Sequence, residues 1–126
     1  MSAYIDTHVA VWLYDGLVER ISPLARKEID STDLLLSPMV LLEFQYLRER
    51  RRIRVEPSEL FAYLNATFGI GLCTYPFPAV ARQALSVGWT ADPFDRIIVA
   101  QAMANREAPL ITADTKIRRR YERAVW

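Results

Sequence analysis

The feature that most constrains the fold is an alternation of short apolar runs with helix-start signals. Leu34-Leu35-Leu36 is too short and too apolar for an exposed strand, and is typical of a central strand in a parallel sheet. A serine followed by proline, as in Ser22-Pro23 and Ser37-Pro38, is typical of the first turn of a helix. Strands that alternate with helices predict a parallel sheet covered on both faces. We therefore predict an α/β fold, a three-layer α/β/α sandwich with a four- or five-stranded, mainly parallel sheet.

The predicted elements occupy most of the chain, without an internal repeat or linker. Apolar runs between turn signals predict strands at Ala3–Ile5, Leu34–Leu36, Leu72–Tyr75, Pro109–Thr112 and Ala124–Trp126. Capping residues and prolines predict helices that begin at or near Thr7, Ser22, Ser37, Pro57, Pro78, Asp92 and Asp114. We take Thr7 as the cap of the first helix.

Length and charge bound the class of protein. The 126 residues fit one domain, 1–126, and 52% of them are hydrophobic, which is enough for a packed core. The 16 basic and 15 acidic residues give a formal charge of +1, which excludes a uniformly basic nucleic-acid binder and an acidic disordered tail.

Two residue types exclude further classes of site. Cys73 is the single cysteine and His8 the single histidine, so one chain cannot form a disulfide framework or a Cys/His zinc site. The sequence contains neither a signal-peptide pattern nor an apolar run long enough to span a membrane. We expect a soluble, cytoplasmic protein that does not bind a membrane.

Acidic residues follow several of the predicted strands. Ligands of parallel sheets bind beyond the carboxyl ends of the strands, and Asp6 and Asp114 lie there. Asp92 and Asp95 open a further helix. Each also has a structural interpretation: Asp6 and Asp114 as turn or capping residues, and Asp92 with Asp95 as an N-cap and capping box.

Glu43 is harder to explain structurally, because it lies in the apolar helix that begins at Pro38. A buried, unpaired carboxylate is costly, so Glu43 needs a partner. Either a salt bridge to an arginine or a metal ion held with other acids would supply one. If the carboxylates converge at one end of the sheet, a hard divalent cation relieves their repulsion, and all-oxygen ligands favour Mg²⁺ or Mn²⁺.

Four motifs resemble those of one family of nucleases. Ile5-Asp6-Thr7-His8, Ser37-Pro38 with Leu42-Glu43, Asp92-Pro93-Phe94-Asp95-Arg96 and Leu110-Ile111-Thr112-Ala113-Asp114 occur in the order found in PIN-domain ribonucleases. The resemblance is strongest to the VapC toxins of type II toxin–antitoxin systems and covers nearly the whole chain. It implies a PIN-like fold and an Mg²⁺- or Mn²⁺-dependent endoribonuclease that a cognate antitoxin inhibits.

The resemblance also assigns roles to residues. It implies that Asp6, Glu43, Asp95 and Asp114 are the catalytic and metal-binding acids, with Asp92 auxiliary. Thr112 and Ser37 are expected to hydrogen-bond these carboxylates or their waters. The family often has Asn where this chain has His8, which leaves open whether His8 reaches the metal or only packs beside it.

Contacts to RNA and to protein partners are expected outside the acidic centre. Arginines give affinity for phosphate without reading sequence, and the candidates are Arg48, Arg51, Arg52, Arg118 and Arg119. Solvated helix ends are the alternative interpretation of both basic runs. Tyr46, Phe61 and Trp89 are available aromatics for stacking on RNA bases, but we expect them to pack in the core. An apolar stripe of Leu60, Phe61 and Leu64 fits the core, a homodimer face or a groove for an antitoxin helix. The resemblance to the VapC toxins implies that this chain forms a homodimer and binds a cognate antitoxin.

Two other functions compete with the nuclease. A catalytically silent module of the same fold would bind RNA or protein, but degenerate domains normally lose one of the acids, and this chain has all four. A phosphoryl-transfer domain of the receiver or haloacid-dehalogenase type would use Asp6 as nucleophile. The dehalogenase pattern needs a second Asp two residues later, where His8 stands, and a receiver needs an acidic pair before its Asp.

Overall fold

A computed structural model describes all 126 residues and contains one five-stranded, fully parallel sheet with seven α-helices. The strands are β1 Ser2–Ile5, β2 Asp33–Leu36, β3 Gly71–Leu72, β4 Leu110–Ile111 and β5 Ala124–Val125. The helices are α1 Thr7–Asp15, α2 Pro23–Ser31, α3 Pro38–Glu49, α4 Pro57–Phe68, α5 Phe77–Ala84, α6 Pro93–Ala104 and α7 Thr115–Arg120. A short 3₁₀ turn covers Val18–Arg20. The predicted α/β/α architecture is confirmed.

The strand order is β3-β2-β1-β4-β5, so β1 lies at the centre of the sheet. Tyr4 pairs with Leu35 on one side, and Ile5 pairs with Ile111 on the other. In this register Asp6, Ser37 and Thr112 are the first residues beyond three adjacent strands. The sheet therefore brings three residues from distant parts of the chain to the same edge.

The core lies on both sides of β1, whose residues Ala3, Tyr4 and Ile5 are fully buried. Leu60 and Leu64 of α4 are also fully buried, and Phe61 packs against the same core. The stripe on α4 is therefore core rather than a partner surface. Tyr46, expected in the core, is instead 43% exposed.

Element boundaries differ from the sequence prediction in two ways. The last three strands are shorter than predicted, with two residues each, and β3 ends at Leu72 rather than Tyr75. The predicted cap of α1 is also wrong, because the N-cap is Asp6, whose side chain accepts a hydrogen bond from the Thr7 N–H. Thr7 is the first helical residue, and its hydroxyl is free to bond elsewhere.

None of the helices is long and apolar enough to cross a membrane.

Gly69 ends α4 in the left-handed region, with φ of 69°, and its N–H bonds the carbonyl oxygen of Asn65. We expect Gly69→Ala to lower the free energy of unfolding by about 1 kcal/mol, because a Cβ is disfavoured in that conformation. Urea unfolding measures the change. Gly88 is the matched control: it does not have positive φ, and a Cβ there meets no atom within 4 Å. Gly88→Ala should be neutral or stabilising, and equal losses at both positions would contradict the prediction.

Candidate active site

Asp6 lies at the carboxyl end of the central strand and is 5% exposed. One carboxylate oxygen accepts the Thr7 N–H at 2.8 Å, and the other accepts the Thr112 hydroxyl at 2.5 Å. Burial raises the pKa of Asp6, and the charge of Asp114 adds to the rise, while these two hydrogen bonds and nearby His8 oppose it. The carboxylate is therefore held in one orientation at a site that disfavours its charge.

Glu43 reaches the same edge of the sheet from α3, and its side chain is also buried. The Thr7 hydroxyl donates a hydrogen bond to its carboxylate. No ion pair involves Glu43, so the alternative of a salt bridge to an arginine is wrong. Burial is the largest cause of the raised pKa of Glu43, and the charges of Asp6 and Asp92 raise it further.

Asp92 and Asp95 lie at the start of α6. Asp92 is exposed and caps the helix by accepting the N–H groups of Phe94 and Asp95, at 2.9 and 3.2 Å. The reciprocal half of a capping box is missing, because the Asp92 N–H donates to the Thr90 hydroxyl instead. Asp95 is thus not needed as a capping residue.

Burial and like charge act together on Asp95. Its pKa is raised to about 8, first by burial and then by the charges of four other acids, Asp6, Asp92, Asp114 and Glu43. The acids proposed from sequence therefore lie close enough to repel one another. Without a cation, burial and this repulsion together favour a proton on Asp95 near neutral pH.

Asp114 is exposed and caps α7, where it accepts the Ile117 N–H at 2.9 Å. Its own N–H donates to the Thr112 hydroxyl at 3.1 Å. Because that hydroxyl also donates to Asp6, the fully buried Thr112 links two of the acids. The expected hydrogen bond from Thr112 to a carboxylate is thus present.

Ser37 differs from expectation. Its hydroxyl donates to Gln101 Oε1 at 2.9 Å and accepts the Met39 N–H, so it bonds no carboxylate. Gln101 continues the network to the Cys73 thiol, which the Tyr4 hydroxyl also contacts. Ser37 therefore belongs to a buried polar network behind the acids.

His8 is exposed, and its ring centroid lies 6.4 Å from that of Trp12. Its charge lowers the pKa of both Asp6 and Glu43, which places it beside the acids.

The candidate RNA-binding arginines lie outside the acidic cluster. Arg118 and Arg119 line an open cleft of about 460 Å³ together with Trp126. Arg51 and Arg52 line another cleft, of about 380 Å³. Arg48 pairs with Glu56 at 3.6 Å, the only side-chain ion pair of any arginine.

The acids do not form a preorganised metal-binding site in this conformation. No group of three or more His, Cys, Asp or Glu side chains is positioned to hold a metal ion in this conformation. Asp6 and Glu43 instead bond threonine hydroxyls. The donor set nevertheless fits a hard divalent cation, because it is all oxygen and a cation would offset the burial and the mutual repulsion that raise the pKa of Asp95.

Comparison with known families decides the identity of the fold. The sequence model of the PIN domain matches residues 3–123. The chain belongs to the PIN domain family.

Two solved structures have a similar fold. One is VapBC2 from Rickettsia felis bound to a promoter DNA fragment. It superposes with a TM-score of 0.59 at 16% sequence identity, and the match covers 94% of this chain and 92% of the other chain. VapBC-1 from nontypeable Haemophilus influenzae gives a TM-score of 0.56 at 16% identity, covering 95% and 92%. No curated protein matches the sequence.

Sequence reasoning missed two residues of this PIN domain site. Thr7, taken as a helix cap, holds Glu43, and Gln101 anchors Ser37. No sequence signal identified the bond of Thr7, because it joins residues 36 positions apart. Gln101 was detectable as the one polar residue in the run Ile98–Ala102.

We expect Asp95→Asn to stabilise the metal-free protein in EDTA, with an effect that grows with pH. A raised pKa means that the folded state binds the proton more tightly, so stability is lost as pH rises from about 4 through about 8. At pH 5 the two proteins should differ little. At pH 8.5 the variant should be more stable by about 1 to 2 kcal/mol, less than the full pKa change implies, because water screens a half-exposed carboxylate.

Urea unfolding at both pH values measures the difference. The control is Asp33→Asn, an exposed acid at the start of β2, at the opposite end of the sheet from Asp6. The electrostatic account is wrong if Asp95→Asn destabilises the protein equally at both pH values.

Proposed function

We propose that this chain is a divalent-metal-dependent endoribonuclease that acts in the cytoplasm as the toxin of a type II toxin–antitoxin system. The observation that carries the proposal is the convergence of acids from four helices at one edge of the sheet. Four of them, together with burial, raise the pKa of a fifth, Asp95, to about 8. Burial and like charge raise carboxylate pKa values in this way at many functional sites, and a bound cation would relieve the repulsion.

Asp6, Glu43, Asp95 and Asp114 are the residues that would hold Mg²⁺ or Mn²⁺. When bound, such an ion supplies a nucleophilic water and stabilises the oxygen that leaves the RNA phosphate. We expect hydrolysis to leave a 5′-phosphate and a 3′-hydroxyl.

The protein's own contribution is to orient the acids before the ion and the substrate arrive. Backbone N–H groups at helix starts align Asp6, Asp92 and Asp114. The hydroxyls of Thr7 and Thr112 hold Glu43 and Asp6. The positive ends of these helices also favour negative charge, carboxylate or phosphate, at this edge.

RNA as the substrate is supported by the arginines, because apart from Arg48 none of the fourteen is paired with an acid side chain. Their charges therefore remain available to phosphate.

An antitoxin partner is supported by the VapBC complexes, whose fold this chain shares. A homodimer is proposed on the resemblance to VapC toxins alone.

The second candidate is a catalytically silent PIN-fold module that binds RNA or a protein. It is favoured by one observation, that no three of the acids are positioned to hold an ion in this conformation. The two proposals differ in whether the acids move together when the ion is supplied.

Cleavage of labelled structured RNAs by the purified protein, with Mn²⁺ or with EDTA, tests the nuclease. We expect cleavage with Mn²⁺ only. Asp6→Asn should lower the rate by more than about 100-fold, beyond the cost of losing a partner that merely hydrogen-bonds a metal ligand. Asp33→Asn, the distant control, should cleave as the wild type does.

Cleavage that persists in EDTA, or that survives Asp6→Asn, would contradict the metal mechanism. RNA that is bound but never cut would favour the silent module. Expression in bacteria tests the toxin role separately: the wild type should arrest growth, and Asp95→Asn should not.

A further inference from the structure

Three side chains beside the acids form an aromatic ladder: Phe94, Tyr46 and Arg50. The ring centroids of Tyr46 and Phe94 are 5.4 Å apart, with planes tilted by 43°. The guanidinium carbon of Arg50 lies 5.4 Å from the centroid of the Tyr46 ring. Tyr46 is 43% exposed, so its ring is presented to solvent rather than packed in the core.

The two rings of the ladder lie close in sequence to two of the proposed catalytic residues, Glu43 and Asp95. Glu43 and Tyr46 are three residues apart on one face of α3, and Arg50, the C-cap residue of that helix, follows four residues after Tyr46. Phe94 directly precedes Asp95. A rise of 1.5 Å per residue puts Arg50 about 10 Å along the helix axis from Glu43. The ladder therefore leads outward from the acids over a short distance.

The guanidinium of Arg50, at the outer end of the ladder, forms no ion pair with an acidic side chain of the protein. Arg50 is exposed and forms no ion pair, unlike Arg48, which pairs with Glu56. An exposed aromatic ring beside a free guanidinium is the combination that holds single-stranded nucleic acids, by base stacking and by phosphate contact.

We infer that the ladder of Tyr46, Phe94 and Arg50 is a stacking subsite for one base of single-stranded RNA, next to the phosphate that is cut. This inference rests on the proposed function and names how its substrate is held. Stacking on a ring accepts any base, so the subsite gives position and affinity rather than strict sequence choice.

A second copy of this chain is the competing occupant. Leu42, four residues before Tyr46, is 55% exposed and extends the apolar character of this face of α3. RNA is favoured because the face has an unpaired arginine at one end and the acidic cluster at the other. A dimer contact would bury that arginine, which is costly unless the second copy supplies an acid.

Fluorescence anisotropy with two labelled ten-residue RNAs tests the inference, one of adenosines and one abasic with the same phosphates. The Asp95→Asn protein with Mn²⁺ keeps the RNA intact for the measurement. We expect it to prefer the adenosine RNA, and Tyr46→Ala to weaken that binding by about 5- to 100-fold, as loss of one stacked base does. Tyr46→Ala should leave binding of the abasic RNA nearly unchanged, and Tyr46→Phe should bind both as the parent does.

Tyr63→Ala is the matched control, since Tyr63 of α4 is 42% exposed and packs edge-to-face against Tyr14 of α1. It should change neither affinity. Equal losses for both RNAs on Tyr46→Ala, or an equal loss on Tyr63→Ala, would overturn the subsite. So would a change of oligomeric state in Tyr46→Ala alone, measured by sedimentation, because a second copy would then cover the ladder. Binding of neither RNA by the parent protein would instead contradict the proposed function itself.

Discussion

The carboxylate of Asp6, buried at the end of the central strand, is the constraint on which the site depends. A carboxylate there is tolerated because the Thr7 N–H and the Thr112 hydroxyl bond both of its oxygens. Those two donors join the start of α1 to the end of β4. The same Thr7 supplies its hydroxyl to Glu43 and so fixes α3 against the site. The adjacent residues Asp6 and Thr7 together link three segments that are distant in sequence: the start of α1, the end of β4 and α3.

Much of the fold could be predicted, because its signals are local. Prolines and capping residues marked all seven helix starts to within one residue, and apolar runs marked every strand. The two-residue strands were predicted too long, since strand length depends on pairing partners that a single segment does not contain. The capping error at α1 has the same origin: Asp6 and Thr7 are both good caps, and only the tertiary contact with Glu43 decides between them.

The sequence identified which acids belong to the candidate site, but it did not predict how their side chains are bonded and arranged. The acids were identified because each follows a strand or opens a helix, and a parallel sheet brings such positions together. The partners of Ser37 and Thr7 were missed because both bonds span more than 30 residues. The near-neutral charge of +1 proves to combine an acidic cluster with arginines outside it, almost all unpaired. A sum of charges hides that separation.

Calorimetric titration of the purified, metal-free protein with Mn²⁺ tests the central claim most directly, since it asks whether the clustered acids hold an ion. We predict that binding releases a proton at about pH 7 and that this release fades as the pH rises through about 8, because the proton favoured on Asp95 must leave before the carboxylate can act as a ligand. Asp6→Asn should abolish the binding, and Asp33→Asn should leave it intact. No heat of binding in the wild type, or equal binding in Asp6→Asn, would contradict the account.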